Sequence, residues 1–346
     1  MQEISRIGVD LSRSVFQLHA ARADGTVVWR KRVYRDELLD VIRNVAPCDI
    51  GMEACAGCHY WGRLFQEMGH KVKLIPPQYV KPFVKRNKND AADAEAISEA
   101  MNRPTMKFVQ VKNVSQQELG QLHRARELMV KQSTALINEI KGFLHEYGVV
   151  LNCGKAKLRS AYLEALEKHG ERLGSVTKRT IDRLFDQLIQ ADQAIKEHEK
   201  EIKSLHEANE MSVRLTSIPG IGMLTASAIV SAVGDAKHFK SGREFAASLG
   251  VVPRQCSSGQ TERLLGVSKR GDSYIRKLLV QGGQSVVIAA TKAKGRRGEW
   301  LRSLISRRGK PKAVLAVANK NARIAWALMV HGSSYNGMHG SGSPAQ

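Results

Sequence analysis

The order of strand and helix signals in the first third of the chain constrains the fold more than any other feature. Apolar runs at Ile7 to Val9, Val15 to Ala20 and Thr26 to Trp29 predict three strands, and Asp24-Gly25 is a hairpin turn signal before the third. The segment from Asp36 to Val45 then has the apolar spacing of a helix. The chain therefore begins with consecutive antiparallel strands that are closed by a helix.

Strands and helices alternate after this point. A strand ending at Glu53 is followed by a helix to about Met68, a strand from Lys71 to Leu74, and a helix opened by Asn89 and Asp90. Three antiparallel strands followed by alternating strands and helices predict an α/β layer fold of the ribonuclease-H-like type.

Four carboxylates, at Asp10, Glu53, Asp90 and Asp93, stand at informative places in this pattern. Asp10 and Glu53 end apolar strands, where a buried carboxylate is costly unless it is paired or bound to a metal. Asp90 and Asp93 share one face of a helix turn, although acids there also serve as helix caps. Oxygen ligands of this kind suit a hard divalent cation such as Mg²⁺ or Mn²⁺, which would assist displacement at a phosphodiester.

The charge balance indicates the partner. The 346 residues include 54 Lys and Arg against 33 Asp and Glu, giving a formal charge of +21. Such a chain attracts a polyanion, because each neutralised phosphate releases counterions, so nucleic acid is the expected partner. No apolar stretch approaches the roughly 20 residues of a membrane span, and no leader is evident, so we expect a cytoplasmic protein with no membrane contact.

Five cysteines are too few and too irregular for a disulfide framework in a chain of this length. Cys55-Ala56-Gly57-Cys58-His59 has the spacing of a c-type haem attachment site, and Cys55 and Cys58 have that of a redox pair. We expect neither function. The segment is more simply a tight turn in which Gly57 eases the entry into the next helix.

Helix signals dominate for about a hundred residues from Ser115 onward. Eight mostly apolar positions are spaced alternately three and four residues apart, which predicts a heptad seam with charged flanks. They are Ile181, Leu184, Leu188, Ala191, Ile195, His198, Ile202 and Leu205. The seam predicts a helical hairpin or coiled coil that packs on the helix around Leu119 to Phe143 or on a second protomer. We therefore expect an oligomer, from a dimer to a tetramer, with His198 as a polar residue that sets the register.

The last third contains a Pro219-Gly220-Ile221-Gly222 turn between two helical patterns. Gly220 and Gly222 would let backbone amides approach a phosphate, as in a helix-hairpin-helix, although such a turn is often only a turn. The stretches from Lys71 to Asn89 and from Lys292 to Arg323 are strongly basic and predict phosphate contacts. Aromatic residues make up only 5% of the chain, so contact with the nucleic-acid backbone is favoured over base stacking.

Several motifs together carry a resemblance to a known family. The four carboxylates are followed in order by the Pro219 to Gly222 turn and by three further segments: Leu249-Gly250-Val251-Val252-Pro253, Ser257-Ser258-Gly259 and Ser268-Lys269-Arg270-Gly271-Asp272. Nearly the whole chain thus resembles the DEDD, RuvC-like transposases of bacterial insertion sequences in the IS110 family, and the Ser-Ser-Gly segment resembles its IS1111 group.

The resemblance implies a specific chemistry. Asp10, Glu53, Asp90 and Asp93 would be magnesium ligands, and Ser258, with Ser257 as the alternative, would attack DNA and form a phosphoserine link. From the residues themselves, nucleic-acid contacts are expected at Gly220, Gly222, Lys269, Arg270, Arg296 and Arg297. The resemblance further implies a tetramer with composite sites and a structured noncoding guide RNA, the bridge RNA, that directs this serine recombinase to donor and target DNA.

The expected organisation follows from these signals. Residues 1–112 would form the RuvC-like domain, 113–212 a helical coiled-coil region, 213–336 a mostly helical transposase domain, and 337–346 a flexible tail. Two other functions stay open from the residues alone. One is a RuvC-like nuclease that uses water as its nucleophile, and the other is a helix-hairpin-helix DNA-binding protein without enzymatic activity, whose acids only cap helices.

Overall fold

The computed structural model describes residues 3–84, 90–259, 261–291 and 295–335. The chain divides into two compact units, Met1–Val114 and Ser115–Gln346. The boundaries expected at residues 112 and 212 remain predictions, and the expected tail at 337–346 lies outside the described residues.

The first unit contains a five-stranded mixed sheet. Its strands are β1 (Arg6–Asp10), β2 (Val15–Ala21), β3 (Val27–Tyr34), β4 (Asp49–Glu53) and β5 (Lys71–Ile75). They lie in the order β3-β2-β1-β4-β5, with antiparallel pairing from β1 to β3 and parallel pairing of β4 with β1 and β5. This is the sheet of a ribonuclease-H-like fold, and the predicted order of its elements is confirmed.

Helices cover the sheet. They are α1 (Leu38–Arg43), α2 (Cys58–Glu67), α3 (Pro77–Val80) and α4 (Asp90–Ala100), with a short 3-10 helix at Lys81–Phe83. One core joins sheet residues such as Phe16 to Trp61 and Phe65 of α2. A second core joins Ile75 of β5 to Ile97 of α4 and to Met101 just beyond it.

The second unit is mostly helical. Its helices are α5 (Val114–Glu146, beginning one residue before the unit), α6 (Leu158–His169), α7 (Ser175–Glu207), α8 (Glu210–Leu215), α9 (Met223–Val233), α10 (Gly242–Ser248), α11 (Ser273–Ile288), α12 (Gly295–Arg308) and α13 (Lys310–His331). Short 3-10 helices lie at Lys155–Lys157, Gly170–Arg172, Ala236–His238 and Ala289–Thr291. A small hairpin of β6 (Pro253–Gln255) and β7 (Leu264–Val267) stands between α10 and α11.

The two longest helices, α5 and α7, run antiparallel. Arg126 pairs with Glu199 at 2.6 Å, and Ser133 donates to Asp192 at 3.3 Å, so the sequence numbers rise on one helix as they fall on the other. The α5 helix is thus the packing partner of the predicted seam within one chain.

The seam itself needs one correction. Leu205, predicted to lie in the seam, is 39% exposed, and His206 beside it is buried instead. Phe185, which the seam omitted, is buried at 2% exposure. A straight helix has 3.6 residues per turn and drifts away from a 3.5-residue repeat, so the buried face rotates along α7.

Candidate active site

Asp10 and Glu53 lie side by side at one edge of the sheet. They end β1 and β4, two parallel neighbours whose register pairs Val9 with Met52 immediately before them. Neighbouring strands are about 4.8 Å apart, so the two backbones are adjacent at this edge. Both residues are half-buried. The carboxyl ends of the central strands thus bring together two acids that are 43 positions apart in the sequence.

The α4 helix points its first turn toward the same edge. Ala94 and Ser98 lie over Gly8, where an added Cβ would overlap the Ala94 carbonyl oxygen and lie 2.7 Å from the Ser98 nitrogen. Asn102, two residues beyond the end of α4, shares a cavity with Arg6 at the beginning of β1. The helix therefore runs antiparallel to β1, and its amino end lies at the carboxyl end of that strand.

Asp90 and Asp93 occupy this amino end. Asp90 is the first residue of α4, and Asp93 immediately precedes Ala94 and is half-buried. Along the helix axis, Asp90 lies about 6 Å before Ala94, and along the strand, Asp10 lies about 7 Å beyond Gly8. Because Ala94 lies over Gly8, the backbones of Asp90 and Asp10 are at similar positions along the direction of β1. The side chain of Asp90 lies outside the described residues.

The described side chains do not form a closed ligand set. Among them, no group of three or more His, Cys, Asp or Glu residues is close enough to hold a metal ion. The backbone positions of the four predicted acids lie toward one edge of the sheet. A set made only of carboxylate oxygens fits a hard divalent cation such as Mg²⁺ and does not favour a softer metal.

The pKa of the Cys55 thiol responds to the charges at this edge. Burial, the largest cause, and the charges of Cys58, Glu53 and Asp10 together raise the pKa of this thiol to about 11. Both strand-end carboxylates therefore act on one thiol, which keeps its proton at neutral pH. Gly57 has φ +88° and stands directly before α2, as expected of a tight turn. All five cysteines are free thiols in the structure.

Ser258 lies at the tip of the β6–β7 hairpin. Ser258 and Thr261 form an isolated bridge, with backbone hydrogen bonds of 3.3 and 3.1 Å, and Gly259 in the turn has φ +57°. Ser257, Ser258 and Gly259 are exposed. The Ser257 hydroxyl accepts a hydrogen bond from the Gln255 side chain at 3.1 Å, whereas the described residues offer the Ser258 hydroxyl no partner. Ser258 is thus the freer of the two candidate nucleophiles.

Close backbone contacts make the base of this hairpin rigid. An added Cβ on Gly250 would overlap the Arg270 carbonyl oxygen, and one on Gly271 would overlap that of Ser248. Arg276 donates to the carbonyl oxygens of Leu249 and Arg270 at 3.1 and 3.0 Å. The two glycine-containing motifs before and after the hairpin therefore pack on each other and fix where the serine loop begins and ends.

The Ser268 to Asp272 motif combines a cap with exposed cations. Asp272 caps α11 by accepting hydrogen bonds from the backbone of Tyr274 and Ile275 at 2.8 and 3.0 Å. Lys269 has φ +56°, a left-handed conformation unusual for a residue with a side chain. Lys269 and Arg270 are both exposed next to the hairpin.

Gly220 and Gly222 have different surroundings. Gly220 has φ +91°, and an added Cβ would lie 2.8 Å from Val286 and 2.9 Å from the Gly282 carbonyl oxygen. The side chain of Asn321 donates to the Pro219 carbonyl oxygen at 3.0 Å. Gly222 is exposed directly before α9, with nothing within 4 Å of an added Cβ. Packing alone therefore explains Gly220, while Gly222 is exposed at the start of α9 and has no such packing role.

The basic stretches are only partly described. Lys73 pairs with Asp49 at 2.5 Å, and residues 85–89 lie outside the described residues. Arg296 is exposed in the first turn of α12, but the side chain of Arg297 is not described. Lys320 lies over the Trp300 ring at 4.6 Å, so part of the second stretch supports packing.

A buried histidine was missed by the sequence analysis. His123 of α5 is 3% exposed, and its two ring nitrogens lie 3.0 Å from the Tyr274 and Ser227 hydroxyls. Because Ser227 donates to the Met223 carbonyl oxygen at 2.7 Å, it must accept from His123, and Tyr274 then donates to the other nitrogen. Burial lowers the pKa of His123 to about 4. Through these hydrogen bonds, the neutral imidazole connects α5 to α9 and to the start of α11. No sequence pattern predicted this contact.

Comparison with known proteins identifies the class to which this fold and these motifs belong. Residues 212–297 match the family described as "Transposase IS116/IS110/IS902 family", and residues 7–149 match the DEDD transposase family of the IS110 type, described as "Transposase". The chain belongs to the IS110 family of insertion-sequence transposases, which are enzymes that cleave and rejoin DNA.

Relatives of nearly full length support this membership. The chain is 41% identical to a probable family 20 transposase of Pseudomonas aeruginosa over 96% of this chain and 98% of the relative. It is 41% identical to the transposase for insertion sequence element IS1111A of Coxiella burnetii, over 97% and 92% of the two chains. It is 38% identical to the transposase for IS1328 of Yersinia enterocolitica, over 97% and 100%.

The comparisons also bear on the open alternatives. The expected family is confirmed, and an enzymatic function is favoured over a protein that only binds DNA. DNA is the partner that a transposase requires. Among the described helices, none has both the length and the apolar character needed to cross a membrane.

Proposed function

We propose that this transposase cuts DNA by forming a covalent phosphoserine link at Ser258 and rejoins the strands by reversing that step. The observation that carries the proposal is the position of Ser258, exposed at the tip of a hairpin whose base is fixed by glycine contacts. A nucleophile must reach a phosphodiester on a large substrate, and a protruding turn on a rigid base allows this. Ser257 is the second choice, because its hydroxyl already accepts a hydrogen bond.

The bond changes in the proposed step balance. The Ser258 oxygen forms a bond to phosphorus as one bond from phosphorus to a deoxyribose oxygen breaks. The serine proton passes to a base or to solvent, and the leaving oxygen takes up a proton. Attack on the phosphoserine by a strand hydroxyl then restores both the serine and the phosphodiester, so the bond energy is conserved.

We further propose that Asp10, Glu53, Asp90 and Asp93 hold Mg²⁺ or Mn²⁺. The support is their backbone placement at the carboxyl ends of β1 and β4 and the first turn of α4. When bound, such ions would stabilise the charge on the attacking and leaving oxygens of the displacement. A neutral serine with no basic partner among the described residues needs such assistance.

Contact with the DNA backbone is proposed for two regions. Gly222, at the exposed start of α9, would offer backbone amides to a phosphate in the manner of a helix-hairpin-helix, with Gly220 shaping the turn. Lys269 and Arg270 stand next to the serine hairpin and would hold the strand that is cut. Arg296 and Arg297, at the start of α12, would extend this contact.

Three further elements complete the proposal. They are guidance by a structured noncoding RNA, assembly as a tetramer with composite sites, and a coiled-coil role for α5 and α7. They follow from the family resemblance, and the charge of +21 supports a large nucleic-acid surface. RNA bound to the purified protein should consist of one species of defined length. Random fragments in its place would contradict guided recognition.

The test separates the serine mechanism from a nuclease that uses water. Wild-type protein, Ser258→Ala and Ser257→Ala are incubated with the donor DNA, its guide RNA and Mg²⁺, and then denatured to reveal covalent protein–DNA adducts. Wild type and Ser257→Ala should form the adduct, and Ser258→Ala should not. An adduct that persists in Ser258→Ala, or cleavage without any adduct in the wild type, would overturn the proposal.

A further inference from the structure

A cavity with unpaired polar groups lies in the first unit, at the beginning of β1. Its volume is about 270 Å³, and its lining includes Arg6, His19, Ser98, Asn102 and Arg103. Because Arg6 begins the strand that Asp10 ends, the cavity lies toward the opposite end of β1 from the candidate active site.

Three of the lining side chains bury polar atoms that have no hydrogen-bond partner among the described residues. Arg6, His19 and Ser98 are 8%, 4% and 1% exposed. Within the described part of the chain, the Arg6 Nε, both ring nitrogens of His19 and the Ser98 hydroxyl find no partner. Burying such groups unpaired is costly, so several of them around one cavity indicate a binding site for a polar ligand.

The charges of the lining residues indicate which kind of ligand fits the cavity. Arg6 donates from Nη1 to the Arg22 carbonyl oxygen at 3.0 Å, but among the described residues it makes no ion pair. Glu95, which also lines the cavity, is paired with Arg30 at 2.9 Å and does not neutralise Arg6. Water would satisfy the hydrogen bonds and leave the buried guanidinium without a counter-charge, which is the more expensive defect.

The donors match an oxyanion. Arg6 Nε, the Ser98 hydroxyl and an N–H of His19 can all donate toward the cavity, and Arg103 adds a second cation at its exposed rim. Glu99 is the one acid of the lining besides Glu95, and Arg103, just beyond the end of α4, is a second cation of the same lining. The volume exceeds that of one water many times and accommodates a phosphate group with part of the molecule attached to it.

We propose that this cavity is a binding site for a phosphate group, either inorganic phosphate or the terminal phosphate of a nucleotide or oligonucleotide. The site is separate from the proposed serine chemistry and does not depend on it. Because Ser98 lies on α4, which also carries Asp90 and Asp93, a bound phosphate would stabilise the docking of that helix on the sheet.

The Ser98→Ala variant tests the site with little risk to folding. The variant removes one unpaired buried hydroxyl, so the protein without ligand should unfold at the same temperature as wild type or higher. Phosphate affinity should fall about tenfold or more, the effect of losing one hydrogen bond to a charged group. Inorganic phosphate is titrated into the full-length protein in a phosphate-free buffer at constant ionic strength, with thermal unfolding and calorimetry as readouts.

A matched control and a second variant complete the design. Ser231 is also buried, but its hydroxyl donates to the Ala228 carbonyl oxygen at 3.0 Å, so Ser231→Ala should lower stability and leave the phosphate response unchanged. Arg103→Gln, at the exposed rim, should also weaken phosphate binding. Because Arg103 lies over the Phe83 ring at 5.4 Å, the phosphate response of this variant is measured against its own unfolding temperature without ligand.

The source of the phosphate is determined by comparing inorganic phosphate with a dinucleotide that carries a 5′-terminal phosphate. Tighter binding of the dinucleotide would identify a nucleic-acid end, and tighter binding of inorganic phosphate would identify the free ion. An absent response in wild type, or an equal response in Ser98→Ala, would overturn the proposal. The adduct experiment on Ser258 is unaffected by either result.

Discussion

Gly8 of β1 lies directly beneath Ala94 of α4, so closely that an added Cβ would overlap the Ala94 carbonyl oxygen. This contact sets the height of the helix above the sheet and therefore the position of Asp93, the residue before Ala94, relative to β1. A second glycine, Gly51 of β4, lies under Ile97 and Met101, with an added Cβ 3.1 Å from Ile97 and 2.7 Å from the Met101 sulfur. Two glycines on neighbouring strands thus seat the helix that carries two of the four acids.

Gly8→Ala should therefore push α4 away from the sheet. The neighbouring atoms are backbone atoms of Ala94 and Ser98, which cannot move aside independently. We expect a loss of about 1–3 kcal/mol in the free energy of unfolding, measured by urea denaturation, and a loss of DNA cleavage that exceeds the loss of folded protein. Gly57→Ala is the comparison variant. Gly57 has φ +88°, so alanine strains the backbone there, but nothing lies within 4 Å of the added Cβ and no helix is displaced. Equal activity in wild type and Gly8→Ala would show that α4 need not be seated this closely.

Metal binding should depend on Asp10. In the wild type, Mg²⁺ should raise the midpoint of thermal unfolding by a few degrees, roughly as expected for a ligand that binds only the folded state. Asp10→Asn keeps the shape of the side chain but removes its charge, so it should abolish most of this shift and reduce cleavage by about 10²-fold or more. Asp49→Asn, at the opposite end of β4, is the control. An unchanged Mg²⁺ response in Asp10→Asn would remove Asp10 from the ligand set.

Substitution by alanine should lower the stability of the protein at Gly220 but hardly change it at Gly222. Gly220→Ala places a Cβ against Val286 and the Gly282 backbone at φ +91°, so we expect a loss of about 1–3 kcal/mol in stability. Gly222→Ala meets no atom and should change stability by less than about 0.5 kcal/mol. If the exposed start of α9 contacts a phosphate, Gly222→Ala should still weaken DNA binding, measured by fluorescence anisotropy. Unchanged DNA affinity in Gly222→Ala would leave the turn with a structural role only.

His123 should make stability depend on pH. Its pKa is lowered to about 4 in the folded protein, against an ordinary value of 6.5, so the unfolded chain takes up a proton first as the pH falls. The stabilisation is fully present above pH 6.5 and is lost progressively toward pH 4. Between pH 7 and pH 5 we expect a loss on the order of 2 kcal/mol from this residue. Urea denaturation of wild type and His123→Gln at both pH values checks it, and the same pH dependence in the two proteins would contradict this role for His123.

Much of the first unit could be predicted from the sequence, because its strands and helices have clear periodic patterns. Asp10 and Glu53 could be placed together since parallel strands end at the same edge of a sheet. The seating of α4 could not be foreseen, because nothing in the sequence shows that Gly8 and Gly51 face a helix. The unpaired cluster of Arg6, His19 and Ser98 is likewise visible only in three dimensions, since each residue alone is unremarkable.

The second unit was predicted less completely. The apolar repeat predicted a helix that packs on another helix but left open whether the partner was the helix around Leu119 to Phe143 or a second protomer. The repeat also misplaced Leu205, because a straight helix does not hold a heptad period. The β6–β7 hairpin has strands of only three and four residues, which are too short to give a clear alternating pattern in the sequence. The tie between His123, Ser227 and Tyr274 joins residues up to 151 positions apart, a separation that no local pattern reveals.

The central claim is that DNA becomes attached to Ser258, and mass spectrometry of the trapped adduct tests it most directly. Trypsin should release residues 255–263 as one peptide, because Arg254 and Arg263 flank it, and nuclease digestion should leave a nucleotide on that peptide. Fragment ions are predicted to place the added mass on Ser258. A nucleotide on Ser257, on any other residue, or on no residue while strand exchange proceeds would contradict the account.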